Sequence, residues 1–207
     1  MKIDNNFALI FDLDDTLYKE VDFLKSAYKK ISQKVDPKNS KSLFINIIKK
    51  YTKQEDVLAY ISSVYKITIN ELLQIYRYHI PDIKIDKLSL DTLKLIKNKN
   101  IKTAIITDGR SITQRNKITA LNINKYFDEI IISEEIKSEK PNLKGFKLIM
   151  DKFGVKNYCY IGDNLYKDFI APNKLGWISF MIKDNGKNIH KYDCLNIEDY
   201  KKPRYTL

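Results

Sequence analysis

The chain has 207 residues, 43% of them hydrophobic, enough to bury one good core with length left for a small accessory domain, which excludes a disordered or fibrous protein. Its 37 Lys and Arg against 26 Asp and Glu give a net charge of +11, which draws anionic partners such as phosphates. The arginines are only Arg77, Arg110, Arg115 and Arg204, and lysine scattered without clustered arginine disfavours a nucleic-acid surface. No apolar run approaches the roughly 18 residues of a membrane span. Cys159 and Cys194 stand far apart, in no CxxC pair. With His79 and His190 the only imidazoles, structural zinc is disfavoured and a reduced, cytoplasmic protein is expected. The stretch Met1–Asn5 leads into no long apolar segment, so no secretory leader is expected.

Short apolar runs bounded by turn residues recur at Phe7–Leu13, Thr103–Thr107, Glu129–Ser133, Tyr158–Gly162 and Trp177–Ile182, the pattern of buried parallel strands. Helical periodicity fills the gaps: Ser89–Ile96 with Ser89 as N-cap, Ile112–Leu121, and Leu143–Phe153 closed by Gly154. That alternation predicts an α/β fold with a doubly wound parallel sheet. The stretch 18–88 breaks it. Val21, Leu24, Tyr28, Ile31 and Val35 form one apolar stripe, Leu43 to Tyr51 a second and Val57 to Tyr65 a third. An all-helical insert (18–88) is therefore expected between two parts of a core (1–17 and 89–207). After Ile182 the pattern weakens toward an edge element or a partly ordered tail.

The first strand runs into Asp12, Leu13, Asp14, Asp15 and Thr16. Carboxylates two positions apart at a strand end project to one side and can gather a hard cation or share nucleophilic and proton-handling work, although such a cluster alone is as often a solvated turn. The second strand stops at Thr107, Asp108 and Gly109, where a hydroxyl and backbone N–H groups suit phosphoryl oxygens. Lys140 precedes Pro141 in the loop opening the Leu143 helix, where an ammonium would neutralise phosphate; alone it is one lysine among many. A fourth strand ends in Gly162, Asp163 and Asn164, with Asp168 five residues past Asp163: Gly162 would permit a tight turn presenting Asp163, and Asp168 would equally serve a helix start. All four clusters fall at carboxyl ends of strands, where open parallel sheets bind ligands.

DLDDT at 12–16, ITD at 106–108, the lysine of KP at 140–141 and GDNLYKD at 162–168 resemble the four ordered motifs of haloacid dehalogenase-like hydrolases, over roughly residues 7–180. The resemblance implies a Rossmann-like core with a helical C1 cap and a magnesium-dependent phosphomonoester hydrolase. By it, Asp12 is the nucleophile forming an aspartyl-phosphate and Asp14 the acid/base. Thr107, Asp108 and Lys140 hold the phosphoryl group. Asp12, the Asp14 carbonyl and Asp163 bind Mg2+, while Thr16, Gly162 and Asp168 support the site. Asp14 then needs a raised pKa, toward which Asp12 and Asp15 would push it. The segment Tyr76–Pro81 resembles members associated with sugar-phosphate and surface-polysaccharide metabolism. Arg77, His79 and Arg110 are candidate substrate contacts, with hinge, packing or surface roles as the plainer alternatives. The expected partner is a small phosphorylated metabolite. A phosphomutase or nucleotidase on the same scaffold is the alternative within enzymes, and a non-catalytic basic binding protein the alternative outside them.

Overall fold

The strand β1 (Phe7–Phe11) is buried at every position, which is how a central parallel strand covered on both faces reads. Its side chains divide by parity. Leu9 and Phe11 enter one hydrophobic cluster with Leu93, Ile96 and Ile118, and Ala8 and Ile10 enter another with Phe146, Ile149 and Ala171. In this computed structural model, which describes residues 5–184, 186, 188–189, 203 and 205–206, β1 pairs in parallel with β2 (Lys102–Thr107) and β4 (Asn157–Gly162). Outward lie β3 (Glu129–Ile132) beside β2 and β5 (Ile178–Met181) beside β4, with the two-residue β6 (Tyr205–Thr206) on the far edge. The order β3-β2-β1-β4-β5-β6 reverses direction between β1 and β4, so the crevice of a doubly wound sheet opens beside Asp12 and Asp163. Register sets them level: Phe11 lies opposite Ile161, and the Asp12 amide donates to the Ile161 carbonyl at 2.8 Å.

Helices α5 (Lys87–Asn98) and α6 (Ser111–Ala120) supply the first cluster, and beyond the one-turn α7 (Ser133–Ile136), α8 (Lys144–Phe153) with α9 (Ile170–Lys174) supply the second, so both faces of the sheet are covered. Gly154, at φ 59°, closes α8 in the left-handed conformation expected of it. Helix α5 differs from expectation at its start. Asp86 is the N-cap, its carboxylate accepting from the Ser89 amide at 2.9 Å, because a carboxylate three residues upstream outcompetes the serine hydroxyl for the first free N–H groups.

Between β1 and α5 run α1 (Glu20–Val35), α2 (Ser40–Thr52), α3 (Val57–Tyr65) and α4 (Ile69–Tyr78). The first three follow the apolar stripes. The fourth, which sequence reasoning missed although Ile69, Leu72, Leu73 and Tyr76 form a stripe at helical spacing, starts from a capping box, in which Thr68 and Glu71 exchange side-chain and backbone hydrogen bonds. These helices close their own cluster around Leu24, Ile31, Ile47, Ile61 and Leu72. The tail expected after Ile182 lies mostly outside the described residues, as do His190 and Cys194; Cys159 is buried and unpaired by disulfide. Among the described residues no helix is long and apolar enough to cross a membrane.

Phe146 is fully buried, packed against the rings of Tyr160 at 5.3 Å and Trp177 at 5.5 Å. Phe146→Ala should therefore cost about 3–5 kcal/mol and lower the thermal midpoint by roughly 10 °C, read by calorimetry.

Candidate functional site

The four strand-end clusters meet around one ammonium. Lys140 Nζ donates to Asp12 Oδ1 at 2.7 Å, to Asp168 Oδ1 at 2.6 Å and to the Tyr160 hydroxyl at 3.2 Å, all in the buried interior. Its backbone is held too, the Lys140 amide donating to Asp108 Oδ1 at 3.0 Å. Asp168 is entirely buried, and its Oδ2 accepts the amides of Asp163 at 3.1 Å and Asn164 at 2.9 Å. It thus ties the β4 loop to Lys140 rather than starting a helix. Gly162 leaves room for this contact: a β-carbon there would stand 2.8 Å from Asp168 Cγ. The glycine is needed for close approach, not for the tight turn expected, since its backbone is not in the left-handed region.

That region is occupied by Asp15, at φ 54°, a conformation Asp tolerates better than most side chains. Its carboxylate accepts from the Glu20 amide at 3.0 Å and the Ile189 amide at 3.3 Å, pinning the loop after β1 to the start of α1. Thr16 is buried, but its hydroxyl has no hydrogen-bond partner among the described residues, so any bracing it gives the loop comes from packing.

Asp12, Asp14, Glu20, Thr107, Lys140 and Asp163 line a cleft of about 140 Å³. Ligating oxygens of Asp12, Asp163 and Asp168 lie within 4.8 Å of one another. Burial pushes Asp163 up to about 9, with Asp12 and Asp168 adding to it. Burial likewise raises Asp12 to about 8 against the opposing pull of Lys140. Asp12 and Asp163 are short of positive charge, and hard carboxylate oxygens suit a divalent cation. Asp168 is the poorer ligand because Lys140, Tyr160 and two amides already occupy its oxygens.

Asp14 departs from expectation. Burial alone would raise it, but Lys117, Tyr18 and Gln114 hold it below its ordinary value. Lys117 Nζ lies 2.7 Å from Asp14 Oδ1 and 2.9 Å from Oδ2, Gln114 Nε2 donates to Oδ2 at 2.9 Å, and the Tyr18 hydroxyl makes a short bond to Oδ1. Gln114 also donates to Thr107 Oγ1 at 2.6 Å. Sequence reasoning missed Gln114 and Lys117. Their spacing of three on α6 puts both on one helix face, a signal visible only once that face is known to look into the cleft. Glu20, also missed, is pushed up to about 7 by burial and then by Asp14.

Of the other candidates, Asp108 lines the same cleft, whereas Arg110, His79 and Arg77 do not. Asp108 serves through its side chain as an anchor, with Oδ2 3.5 Å from Lys167 Nζ. Arg110 is exposed and paired with Glu134 at 2.6 Å, away from the cleft. His79 is buried, its Nδ1 2.8 Å from the Tyr76 carbonyl and its ring 5.1 Å from that of Phe23, and the Arg77 carbonyl accepts from Thr113 Oγ1 at 3.3 Å. Neither His79 nor Arg77 lines the cleft.

The family model for haloacid dehalogenase-like hydrolase matches residues 9–182. The chain belongs to the haloacid dehalogenase-like hydrolases. Among curated relatives, a glyceraldehyde 3-phosphate phosphatase of Methanocaldococcus jannaschii is 29% identical over 97% of this chain and 92% of its own. One of the same name from Methanothermobacter thermautotrophicus is 25% identical over 84% of each. The fold is shared with the crystal structure of a HAD phosphatase from Thermococcus onnurineus, at a TM-score of 0.60 and 21% identity over 97% of this chain and 92% of that one.

In this haloacid dehalogenase-like hydrolase, Gly162→Ala forces either Asp168 or the β4 backbone to move. The substitution should cost about 1–3 kcal/mol and lower turnover more than tenfold, because Lys140 loses its second anchor. Paired thermal melts and phosphatase assays read both effects.

Proposed function

We propose that this phosphatase of the haloacid dehalogenase-like hydrolases acts on a small sugar phosphate by way of an aspartyl-phosphate on Asp12, with Mg2+ as its cation. The observation that carries this reading is the Lys140 ammonium bonded to Asp12 within a cleft that Thr107 and Asp163 also line. Phosphoryl transfer needs in-line positioning and neutralised equatorial oxygens more than unusual chemistry. The relatives named glyceraldehyde 3-phosphate phosphatase support a small sugar phosphate as the substrate.

In this mechanism Asp12 attacks phosphorus as the bond to the leaving oxygen breaks, and Asp14 delivers the proton that the departing alkoxide takes up. Lys140 and the Thr107 hydroxyl hold the phosphoryl oxygens. A water then loses its proton to Asp14 and attacks the aspartyl-phosphate, releasing inorganic phosphate and restoring Asp12. Asp12, the Asp14 carbonyl and Asp163 would hold the cation, which supplies charge neutralisation for the phosphoryl group. Residues 18–88 act as a cap over a core of 1–17 and 89–207, a reading supported by the separate apolar cluster of α1 to α4. A lid of this kind excludes water and reads the leaving group.

Asp12→Asn keeps the shape but removes the nucleophile and should lower kcat by about 10⁴-fold or more. More than a trace of turnover in a pure sample of that variant would rule out covalent catalysis at Asp12. A second expectation concerns protons. With Asp12 raised to about 8 and Asp163 to about 9, both favour the protonated form at pH 7, so binding a cation must expel protons. Apparent Mg2+ affinity should rise with pH from 7 to 9. Titration calorimetry at pH 7, in buffers of different ionisation enthalpy, should show about one or two protons released, and a result near zero would contradict the ligand assignment.

A further inference from the structure

Lys117 is buried to 3% exposure on α6, 103 residues from the carboxylate it contacts. A buried ion pair is a poor way to gain stability, because taking an ammonium out of water costs several kcal/mol and an apolar side chain of similar volume often serves the fold as well. The arrangement around Asp14 is specific nonetheless. Lys117 bonds both carboxylate oxygens, Gln114 bonds Oδ2 and links it to Thr107 Oγ1, and Tyr18 bonds Oδ1. Three side chains from two segments thus fix the carboxylate's position and plane. The same ammonium stands 4.4 Å above the Phe23 ring of α1. Phe23 in turn packs on the rings of Tyr76 and His79, at 5.2 and 5.1 Å. One residue earlier on α6, the Asn116 side-chain amide donates to the carbonyls of Tyr78 at 3.3 Å and His79 at 3.2 Å.

We propose that Lys117 is a positioning residue for proton transfer by Asp14, holding that carboxylate in line with the leaving oxygen and registering it against the helical insert through Phe23. The proposal rests on the phosphatase reading given above. Lys117 bonds Asp14 and is not among the residues that line the cleft. Its loss therefore weakens proton delivery, which a basic leaving group needs and an acidic one does not. General acid–base help is worth about 10²–10⁴-fold, and a misplacement of about 1 Å can remove a large part of that.

The test compares wild type, Lys117→Met and Lys117→Gln as full chains with saturating Mg2+, on glycerol phosphate and on para-nitrophenyl phosphate, after thermal melts establish which variants are folded. Each folded variant should lose roughly 100-fold in kcat on glycerol phosphate and less than about 5-fold on the nitrophenyl ester, with KM within about twofold for both. A merely structural role would lower both substrates alike, and equal losses overturn the assignment. So does a rise in KM with kcat unchanged, which would make Lys117 a substrate-binding group, or a chain that folds with neither replacement. A wild type inactive on both esters would instead overturn the phosphatase reading itself, so the two failures are separable.

Discussion

One buried ammonium holds the site together. Lys140 arrives from the loop before α8, yet its contacts fall on residues brought by two different strands: Asp12 at the end of β1 and Asp168 beyond the end of β4. The cost of burying it is met only because two carboxylates converge on it, raising it well above its ordinary value although burial alone would depress it. Removing either acid would leave the ammonium with one carboxyl partner fewer, and removing the lysine would push Asp12 and Asp163 further toward their protonated forms. The surrounding devices serve this contact. Gly162 lacks the side chain that would displace Asp168, and Asp108 fixes the Lys140 backbone from the neighbouring strand end.

The sheet makes that convergence possible because its strand order reverses between β1 and β4. On either side of such a point the connecting segments leave in opposite directions and open a crevice. Asp12 and Asp163 form its two lips. The connection out of β1 is the one enlarged into α1 to α4, so the helical insert begins a few residues from the proposed nucleophile, and Glu20 at the head of α1 lines the same cleft. Proposed chemistry and substrate selection are therefore joined by a short loop, which the left-handed Asp15 and its two amide contacts keep in one shape.

The parallel sheet and the strand-end acids were legible in the sequence because they rest on local patterns: buried apolar runs of strand length, and polar clusters where those runs stop. Asp12, Thr107, Lys140, Asp163 and Asp168 do come together. What sequence left hidden was long-range or local competition. The cap of α5 moved to Asp86 because a nearby carboxylate outbid Ser89. The environment of Asp14 is set by Lys117 and Gln114 from a helix a hundred residues away, which no local pattern reports. Reasoning from adjacent Asp12 and Asp15 alone gave the wrong sign for its protonation, since sequence neighbours were weighed while the spatial neighbour was unknown.

That sign bears on how two carboxylates two positions apart take different tasks. Asp12 faces Lys140 but shares it with Asp168, so burial wins and the carboxyl is pushed up to about 8. Asp14 faces Lys117 with Gln114 and Tyr18 added, and there the partners win over burial. Without a cation, the proposed nucleophile is thus the more reluctant of the two to ionise, the reverse of what phosphoryl attack requires. Positive charge between Asp12 and Asp163 would lower both, since each is short of compensation where Asp14 is not. Substrate binding would then act on Asp14 in the opposite sense. A phosphate dianion entering beside it raises the cost of its negative charge and favours the protonated form that leaving-group departure needs. The fold separates the pair by giving each carboxylate its own lysine at a different degree of sharing, and the order of protonation then follows from what enters the cleft.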